Sequence, residues 1–224
     1  RDIFWIGVAW CGETARGKFA ESHDARLGWM MIVATIPIVV LGLAFKEAIK
    51  GELRSLYVIS YALIGLALLL VVAEQYVLGR AKLGLPTKTL ADVGWLEAIV
   101  VGCAQAVALV PGSSRSGCTI TGGLFLGMTR EAAARFSFLL SLPAIFAAGA
   151  YELYKERSEL LANPSDATNL IVATLVSGIV GYASIAGLLR YLRSRTMYAF
   201  VIYRIALGLL LLGLLAAGKL DPMR

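Results

Sequence analysis

The stretch Pro-Gly-Ser-Ser-Arg-Ser-Gly-Cys-Thr, residues 111–119, decides the fold of this chain. It separates two apolar segments, residues 95–110 and 120–128, and neither is long enough to cross a bilayer comfortably as a helix. Irregular backbone at membrane depth survives only where protein or a wet cavity surrounds it, and an arginine there is costly. The stretch therefore predicts a re-entrant hairpin of two broken helices, residues 95–128, with a polar turn at its tip.

The composition outside this stretch is that of an integral membrane protein. Hydrophobic residues make up 58% of the chain and charged residues only 16%, whereas soluble domains contain about 25% charged residues. Apolar runs suited to membrane-crossing helices are predicted within residues 29–45, 57–78, 131–152, 170–189 and 198–217. The segment 3–10 is apolar but too short to span, and residues 11–28 are predicted to form a polar loop.

The predicted spans are distributed unevenly around the hairpin, with two before it and three after it. Many transport-type folds consist of two inverted repeats, each with a broken helix. We therefore predict an all-α polytopic membrane protein with inverted-repeat architecture, forming one integral membrane domain over residues 1–224. Residues 1–78 would be the remainder of the first repeat and residues 95–217 the second, and a further hairpin and span would lie upstream of Arg1.

The net charge of +6 comes from basic residues scattered between the apolar runs. This scatter is the pattern expected when basic residues set the orientation of a protein in the membrane. It argues against nucleic-acid binding, for which the basic residues would form one stripe. The loops on the face where the hairpin enters and leaves carry 11 Lys and Arg residues, against 7 on the other face. The positive-inside rule then places the first face in the cytoplasm and the C-terminus outside.

The turn combines groups that suit a phosphate or diphosphate. Ser113, Ser114 and Ser116 present hydroxyls, and Gly117 lets the chain approach a ligand closely. The helix that follows begins with free amide groups and a positive dipole end, and Arg115 adds a charged fork that matches phosphate oxygens. An alternative is that the serines cap this helix while Arg115 extends to the membrane interface.

Three further polar residues need an explanation. Gln105 lies in an apolar stretch, where it could hydrogen-bond across helices or line the same cavity as the turn. Arg204 lies inside the last predicted span and is a functional candidate, although it could also extend to the interface. His23, in a charged loop, is predicted to be a solvated residue without a catalytic role.

Residues 111–119 match P-G-x-S-R-S-x-x-T, and the chain resembles the undecaprenyl-diphosphate phosphatases, the bacitracin-resistance family. The residues before the turn (102–105), after it (136–143) and in the last span (202–204) also resemble that family. The resemblance implies a hydrolase of the bacterial plasma (inner) membrane whose site opens to the outer face. It would cleave a C55 polyprenyl diphosphate to the monophosphate carrier lipid and inorganic phosphate. This recycling serves peptidoglycan synthesis and confers resistance to bacitracin.

On this basis we predict the residues of the site. Catalytic roles are predicted for Ser114, Arg115, Ser116 and Thr119, with Arg115 gripping the diphosphate and the hydroxyls bonding its oxygens. Substrate binding is predicted for Gly112, Ser113, Gly117, Gln105 and Arg204.

The chain departs from the family in its first repeat. The acidic E-x-x-x-E-type motif and the serine-rich turn ending in Gly-His are absent, and Glu13, Glu21 and His23 are not assigned to those roles. A divalent cation, Mg²⁺ or Ca²⁺, is expected from the resemblance. Its ligands and the general acid/base would lie in the N-terminal part of the family that precedes Arg1.

Two other functions remain open at this stage. A polyprenyl-phosphate transporter or flippase would use the same architecture to bind its cargo without cleaving it, and a structural membrane subunit would leave the turn unexplained. The expected partners are the polyprenyl diphosphate lipid and the bilayer, with a homodimer as a further option and no nucleic acid.

Overall fold

The chain folds into α-helices in the computed structural model, which describes residues 2–157 and 163–223. Within these ranges there is no β-strand, and three short 3-10 helices cover Glu52–Arg54, Leu90–Asp92 and Val107–Leu109. The α-helices are α1 Asp2–Ala15, α2 His23–Ala44, α3 Lys46–Lys50, α4 Leu56–Lys82, α5 Trp95–Ala106, α6 Arg115–Phe125, α7 Arg130–Lys155, α8 Pro164–Leu192 and α9 Tyr198–Ala216.

Five helices of the described residues are long and apolar enough to cross a membrane. They are His23–Ala44, Leu56–Lys82, Arg130–Lys155, Thr168–Leu192 and Tyr198–Ala216. Each coincides with one of the five predicted spans, so the prediction of an all-α, multi-pass membrane protein is confirmed.

The predicted polar loop over residues 11–28 is wrong at both ends. Helix α1 continues to Ala15, and α2 already begins at His23. The early start of α2 has a local cause, since the side-chain oxygen of Ser22 accepts a hydrogen bond from the amide of Ala25 at 3.2 Å. Asp24 in the first turn also complements the positive end of the helix dipole.

The chain forms two compact units. The larger consists of Arg1–Leu140 with Thr196–Arg224, and the smaller of Ser141–Arg195. In the larger unit α9 packs on α4, α2 packs on both α1 and α5, and α6 contacts α4 and α5. All residues of the predicted site belong to this larger unit, whereas the predicted repeat boundaries at residues 1–78 and 95–217 stay a prediction.

Two short helices with a turn between them form where the hairpin over residues 95–128 was predicted, and its re-entry into the membrane stays a prediction. Helix α5 has 12 residues and α6 has 11, so they are about 18 and 16 Å long at 1.5 Å per residue, well short of the ~30 Å hydrocarbon core. The two ends of the hairpin are tied together, because the amide of Lys88 donates to Gly127 and the amide of Thr129 donates to Lys88, both at 2.9 Å. The chain therefore enters and leaves at the same end of the unit.

The entrance of the hairpin is capped by carboxylates. Glu97 accepts hydrogen bonds from the Gly94 amide at 2.9 Å and from the Lys88 ammonium at 2.6 Å. One turn earlier, Asp92 accepts from both the amide and the hydroxyl of Thr89, and these bonds hold the pKa of the Asp92 carboxyl below its usual value. These side chains fix where α5 begins.

Gly102 allows α5 to lie directly against the backbone of α2. A Cβ atom on Gly102 would lie 2.3 Å from the carbonyl oxygen of Ala34 and 2.8 Å from its Cα, and backbone cannot move aside cheaply. We expect Gly102→Ala to lower the free energy of unfolding by about 1–3 kcal/mol, the usual effect of overpacking. Thermal unfolding in detergent measures this change.

The matched control is Gly65→Ala in α4, where a Cβ would meet nothing within 4 Å. That variant should be neutral or slightly more stable, because alanine favours the helix. Equal melting temperatures for the two variants would contradict the close packing of α5 on α2.

Candidate functional site in the re-entrant turn

The turn at the tip of the hairpin lies against α4. After α5 and the short helix Val107–Leu109, the backbone of Gly112 adopts φ +89°. A Cβ on Gly112 would lie 2.5 Å from the carbonyl oxygen of Ile59. Only glycine combines this left-handed conformation with so close an approach, so Gly112 shapes the turn.

Ser114 is the N-cap of α6. Its side-chain oxygen accepts from the Gly117 amide at 3.2 Å, and its carbonyl accepts from the Cys118 amide at 3.0 Å. The capping alternative is therefore confirmed for Ser114, whose backbone has the unusual φ of +66°. The amides of Arg115 and Ser116 donate to no described residue, so two N–H groups remain available at the start of α6.

The side chains of Arg115 and Ser116 belong to the first two residues of α6. Both are partly exposed, and within residues 2–157 and 163–223 neither side chain makes a hydrogen bond or ion pair. A free guanidinium, two free amides and the positive end of a helix dipole together form a site suited to an anion. The predicted phosphate-binding character of the turn rests on this geometry.

Thr119 is fully buried below the turn. Its hydroxyl donates to the carbonyl of Arg115 at 2.9 Å, and the hydroxyl of Ser137 on α7 lies 2.6 Å away. Either hydroxyl can be the donor in the contact between Thr119 and Ser137. The structure thus places Thr119 as a link between α7 and the first residue of α6, and its direct contact with phosphate stays a prediction.

Ser137 was not predicted, and its contact can be tested. We expect Ser137→Ala to lower the free energy of unfolding by about 1 kcal/mol, because the buried hydroxyl of Thr119 loses a hydrogen bond. Thermal unfolding in detergent measures this change. Ser60→Ala is the control, because Ser60 is also buried but bonds only the Leu56 carbonyl of its own helix. If Ser137→Ala is as stable as Ser60→Ala, the link between α7 and α6 is contradicted.

Gln105 and Ser113 are buried polar residues without partners. Gln105 is 0% exposed and Ser113 is 1% exposed. Within the described residues, neither amide atom of Gln105 nor the hydroxyl of Ser113 finds a hydrogen-bond partner. The cross-helix bond considered for Gln105 is thus not made in this part of the chain. Buried polar atoms of this kind are normally satisfied by ordered water or by a ligand, and the role of Gln105 in substrate binding stays a prediction.

Arg204 reaches the turn from α9. Its Nη2 atom donates to the carbonyls of Gly112 at 2.9 Å and Ser113 at 3.0 Å, and its Nε donates to Leu63 of α4 at 3.3 Å. The side chain is 9% exposed and points into the protein. The alternative that Arg204 extends to the membrane interface is therefore wrong.

The described residues do not fit a divalent cation. No group of three or more His, Cys, Asp or Glu side chains within residues 2–157 and 163–223 is arranged to hold one. At the turn itself the polar groups are mainly N–H and guanidinium donors, which repel a cation. We therefore assign no step to a metal ion within this part of the chain.

A separate cavity of about 350 Å³ contains none of the predicted site residues. It is lined by Trp5, His23, Asp24 and Arg135 among others. His23 is exposed at the first residue of α2, which agrees with the prediction that it is solvated.

Sequence reasoning missed an ion pair at the exit of the hairpin. Glu74 of α4 is 0% exposed and accepts from both the Nε, at 2.7 Å, and the Nη2 of Arg130, the first residue of α7. Glu74 lies inside the span predicted over residues 57–78. An ionisable residue at such a position is the sequence signal that could have identified this ion pair.

The fold and the turn define a class, the polytopic α-helical membrane proteins with a hairpin of two short helices. The family described as Bacitracin resistance protein BacA matches residues 1–210, and the chain belongs to this family. Among its relatives, the undecaprenyl-diphosphatase of Chlorobium phaeobacteroides (strain BS1) is 59% identical over 205 residues, which cover 92% of this chain and 73% of that protein. The undecaprenyl-diphosphatase of Prosthecochloris aestuarii (strain DSM 271 / SK 413) is 57% identical over 221 residues, covering 99% and 78%.

Proposed function

We propose that this protein is an undecaprenyl-diphosphatase, which hydrolyses undecaprenyl diphosphate to undecaprenyl phosphate and inorganic phosphate. The observation that carries the proposal is the start of α6, where Arg115 and two backbone amides have no partner in the described residues. The identity of 57–59% to proteins named for this activity supports the same substrate. The product lipid would be recycled for peptidoglycan synthesis, and the activity would confer resistance to bacitracin.

The turn would act on the diphosphate by binding and charge stabilisation. Water attacks the terminal phosphorus, the bond to the bridging oxygen breaks, and its electron pair leaves with the lipid monophosphate. The guanidinium of Arg115 and the amides of Arg115 and Ser116 would bind the non-bridging oxygens, whose charge is redistributed in the transition state. The hydroxyls of Ser114 and Ser116 would add hydrogen bonds, while the C55 chain stays in the bilayer.

The proposed location is the bacterial plasma membrane, with the site open to the outside. The distribution of Lys and Arg between the two faces supports this orientation. Participation of Mg²⁺ or Ca²⁺ and formation of a homodimer stay predictions. Nothing in the described residues or in the names of the relatives favours the transporter.

The experiment is phosphate release by the full-length product of the gene, purified in detergent and supplied with undecaprenyl diphosphate. We expect one phosphate per lipid, and no release from undecaprenyl monophosphate as the control substrate. A parallel assay follows movement of the lipid between vesicle leaflets. If the protein moves the lipid but releases no phosphate, the transporter function replaces the proposal.

A further inference from the structure

We propose that Arg204 is a positioning residue, which holds the turn by its backbone carbonyls and does not bind the substrate. This differs from the role as a substrate ligand predicted from the sequence. The inference rests on the proposed function, because one of its readouts is phosphate release.

The donors of Arg204 are used on backbone carbonyls. Nη2 bonds two consecutive carbonyls of the turn, those of Gly112 and Ser113. Nε bonds the carbonyl of Leu63, and Nη2 also lies 3.5 Å from that of Ala62. Two of the three guanidinium nitrogens are therefore engaged with backbone, so one side chain of α9 joins the turn to α4.

The carbonyls of Gly112 and Ser113 depend on Arg204 for their hydrogen bonds to a nitrogen donor. Both turn carbonyls lie outside a helical hydrogen-bond ladder, and Ser113 is 1% exposed. A buried carbonyl without a donor is strongly unfavourable, above all at membrane depth. Since Arg204 provides a donor to both, its loss would favour another conformation of the turn in which they find new partners.

The backbone of the turn is strained and needs such support. Gly112 and Ser114 both have left-handed backbone, with φ of +89° and +66°, and a serine adopts this conformation only when its surroundings impose it. The bonds to Gly112 and Ser113 fix the two peptide planes that lead into Ser114. They thereby set the direction of the free amides of Arg115 and Ser116.

Gly117 provides an independent observation. A Cβ on Gly117 would lie 3.1 Å from the Nη1 atom of Arg204, so the guanidinium also packs against the first turn of α6. Arg204 makes no ion pair with a described carboxylate, so its charge is balanced only by carbonyl dipoles. The guanidinium of Arg204 therefore stabilises the turn from its buried side.

The test combines kinetics with a direct readout of the turn. Cys118 is buried, and its thiol lies 3.7 Å from the Ser113 carbonyl that Arg204 binds. Cys11 and Cys103 are exposed, so replacing both, and any further cysteine of the full-length protein, with serine leaves Cys118 as the reporter for a membrane-permeant thiol reagent. In this background of the full-length protein, Arg204→Gln and Arg204→Lys are compared with Arg195→Lys, a control at an exposed position just before α9.

We expect Arg204→Gln to lower kcat about 10²-fold with KM nearly unchanged, the usual scale for a misplaced catalytic group. Cys118 should react about tenfold faster, because the turn opens locally. Arg204→Lys should lie between Arg204→Gln and the unsubstituted protein in both readouts, and Arg195→Lys should change neither. Should Arg204→Gln fail to fold, Arg204→Lys carries the test with the same two readouts.

A rise in KM with unchanged Cys118 reactivity would show that Arg204 is a substrate ligand and would overturn the proposal. Unchanged kcat would overturn it equally. If even the unsubstituted protein releases no phosphate, the proposed function fails, and the Cys118 reactivity still decides whether Arg204 holds the turn.

Discussion

Replacement of Arg115 by alanine is expected to reduce kcat/KM for phosphate release from undecaprenyl diphosphate by about 10³-fold. Removing one preorganised donor typically lowers the rate by about 10²–10³-fold, and removing a transition-state arginine by about 10³–10⁵-fold. Arg115 is the one guanidinium at the start of α6 that makes no hydrogen bond or ion pair with a described residue. Initial rates over a range of substrate concentrations measure the effect.

The side chain of Arg115 makes no hydrogen bond or ion pair with a described residue. Arg115→Ala should therefore leave the thermal unfolding temperature nearly unchanged. Arg115→Lys keeps the charge but loses the planar fork, so its rate should lie between those of Arg115→Ala and the unsubstituted protein. If the alanine variant is within tenfold of full activity, phosphate is bound elsewhere and the turn is not the site.

The hairpin and the spans could be predicted from the sequence because they depend on local quantities. Segment length and hydropathy decide whether a helix can cross a membrane, and residues 111–119 interrupt a stretch that would otherwise read as one helix. The start of α2 was misjudged because a single cap at Ser22 outweighs the polar composition of residues 11–28.

The contacts that support the turn could not be predicted, because they join residues far apart in the chain. Arg204 donates to carbonyls 91 and 92 residues earlier. Every residue has a backbone carbonyl, so the sequence does not show which of them a side chain binds. Ser137 resembles any other small polar residue of a helix. The sequence identified both Arg115 and Arg204 as functional candidates. The structure distinguishes them, because the guanidinium of Arg115 makes no hydrogen bond with a described residue, whereas that of Arg204 donates to backbone carbonyls.

Replacement of Glu74 by alanine is expected to lower the free energy of unfolding by about 3–5 kcal/mol, the usual result of breaking a buried ion pair from one side. Glu74 is 0% exposed, whereas the side chain of Arg130 is 22% exposed. Without Glu74 the guanidinium would remain largely buried with no counter-charge. Since Arg130 directly follows the hairpin, the loss should also loosen the hairpin exit. Equilibrium unfolding in mixed micelles measures the change.

The ion pair of Glu74 and Arg130 need not stabilise the fold by itself. A second variant separates the loss of the pair from the cost of leaving one charge buried and unpaired. Charges withdrawn from water lose about as much free energy as they gain by pairing, so the double replacement Glu74→Leu with Arg130→Leu should recover most of the stability lost by Glu74→Ala. Glu47→Ala, at an exposed position on α3, is the matched control and should be neutral within about 0.5 kcal/mol. If the double variant is no more stable than Glu74→Ala, then Glu74 matters for its packing and not for the charge that it neutralises.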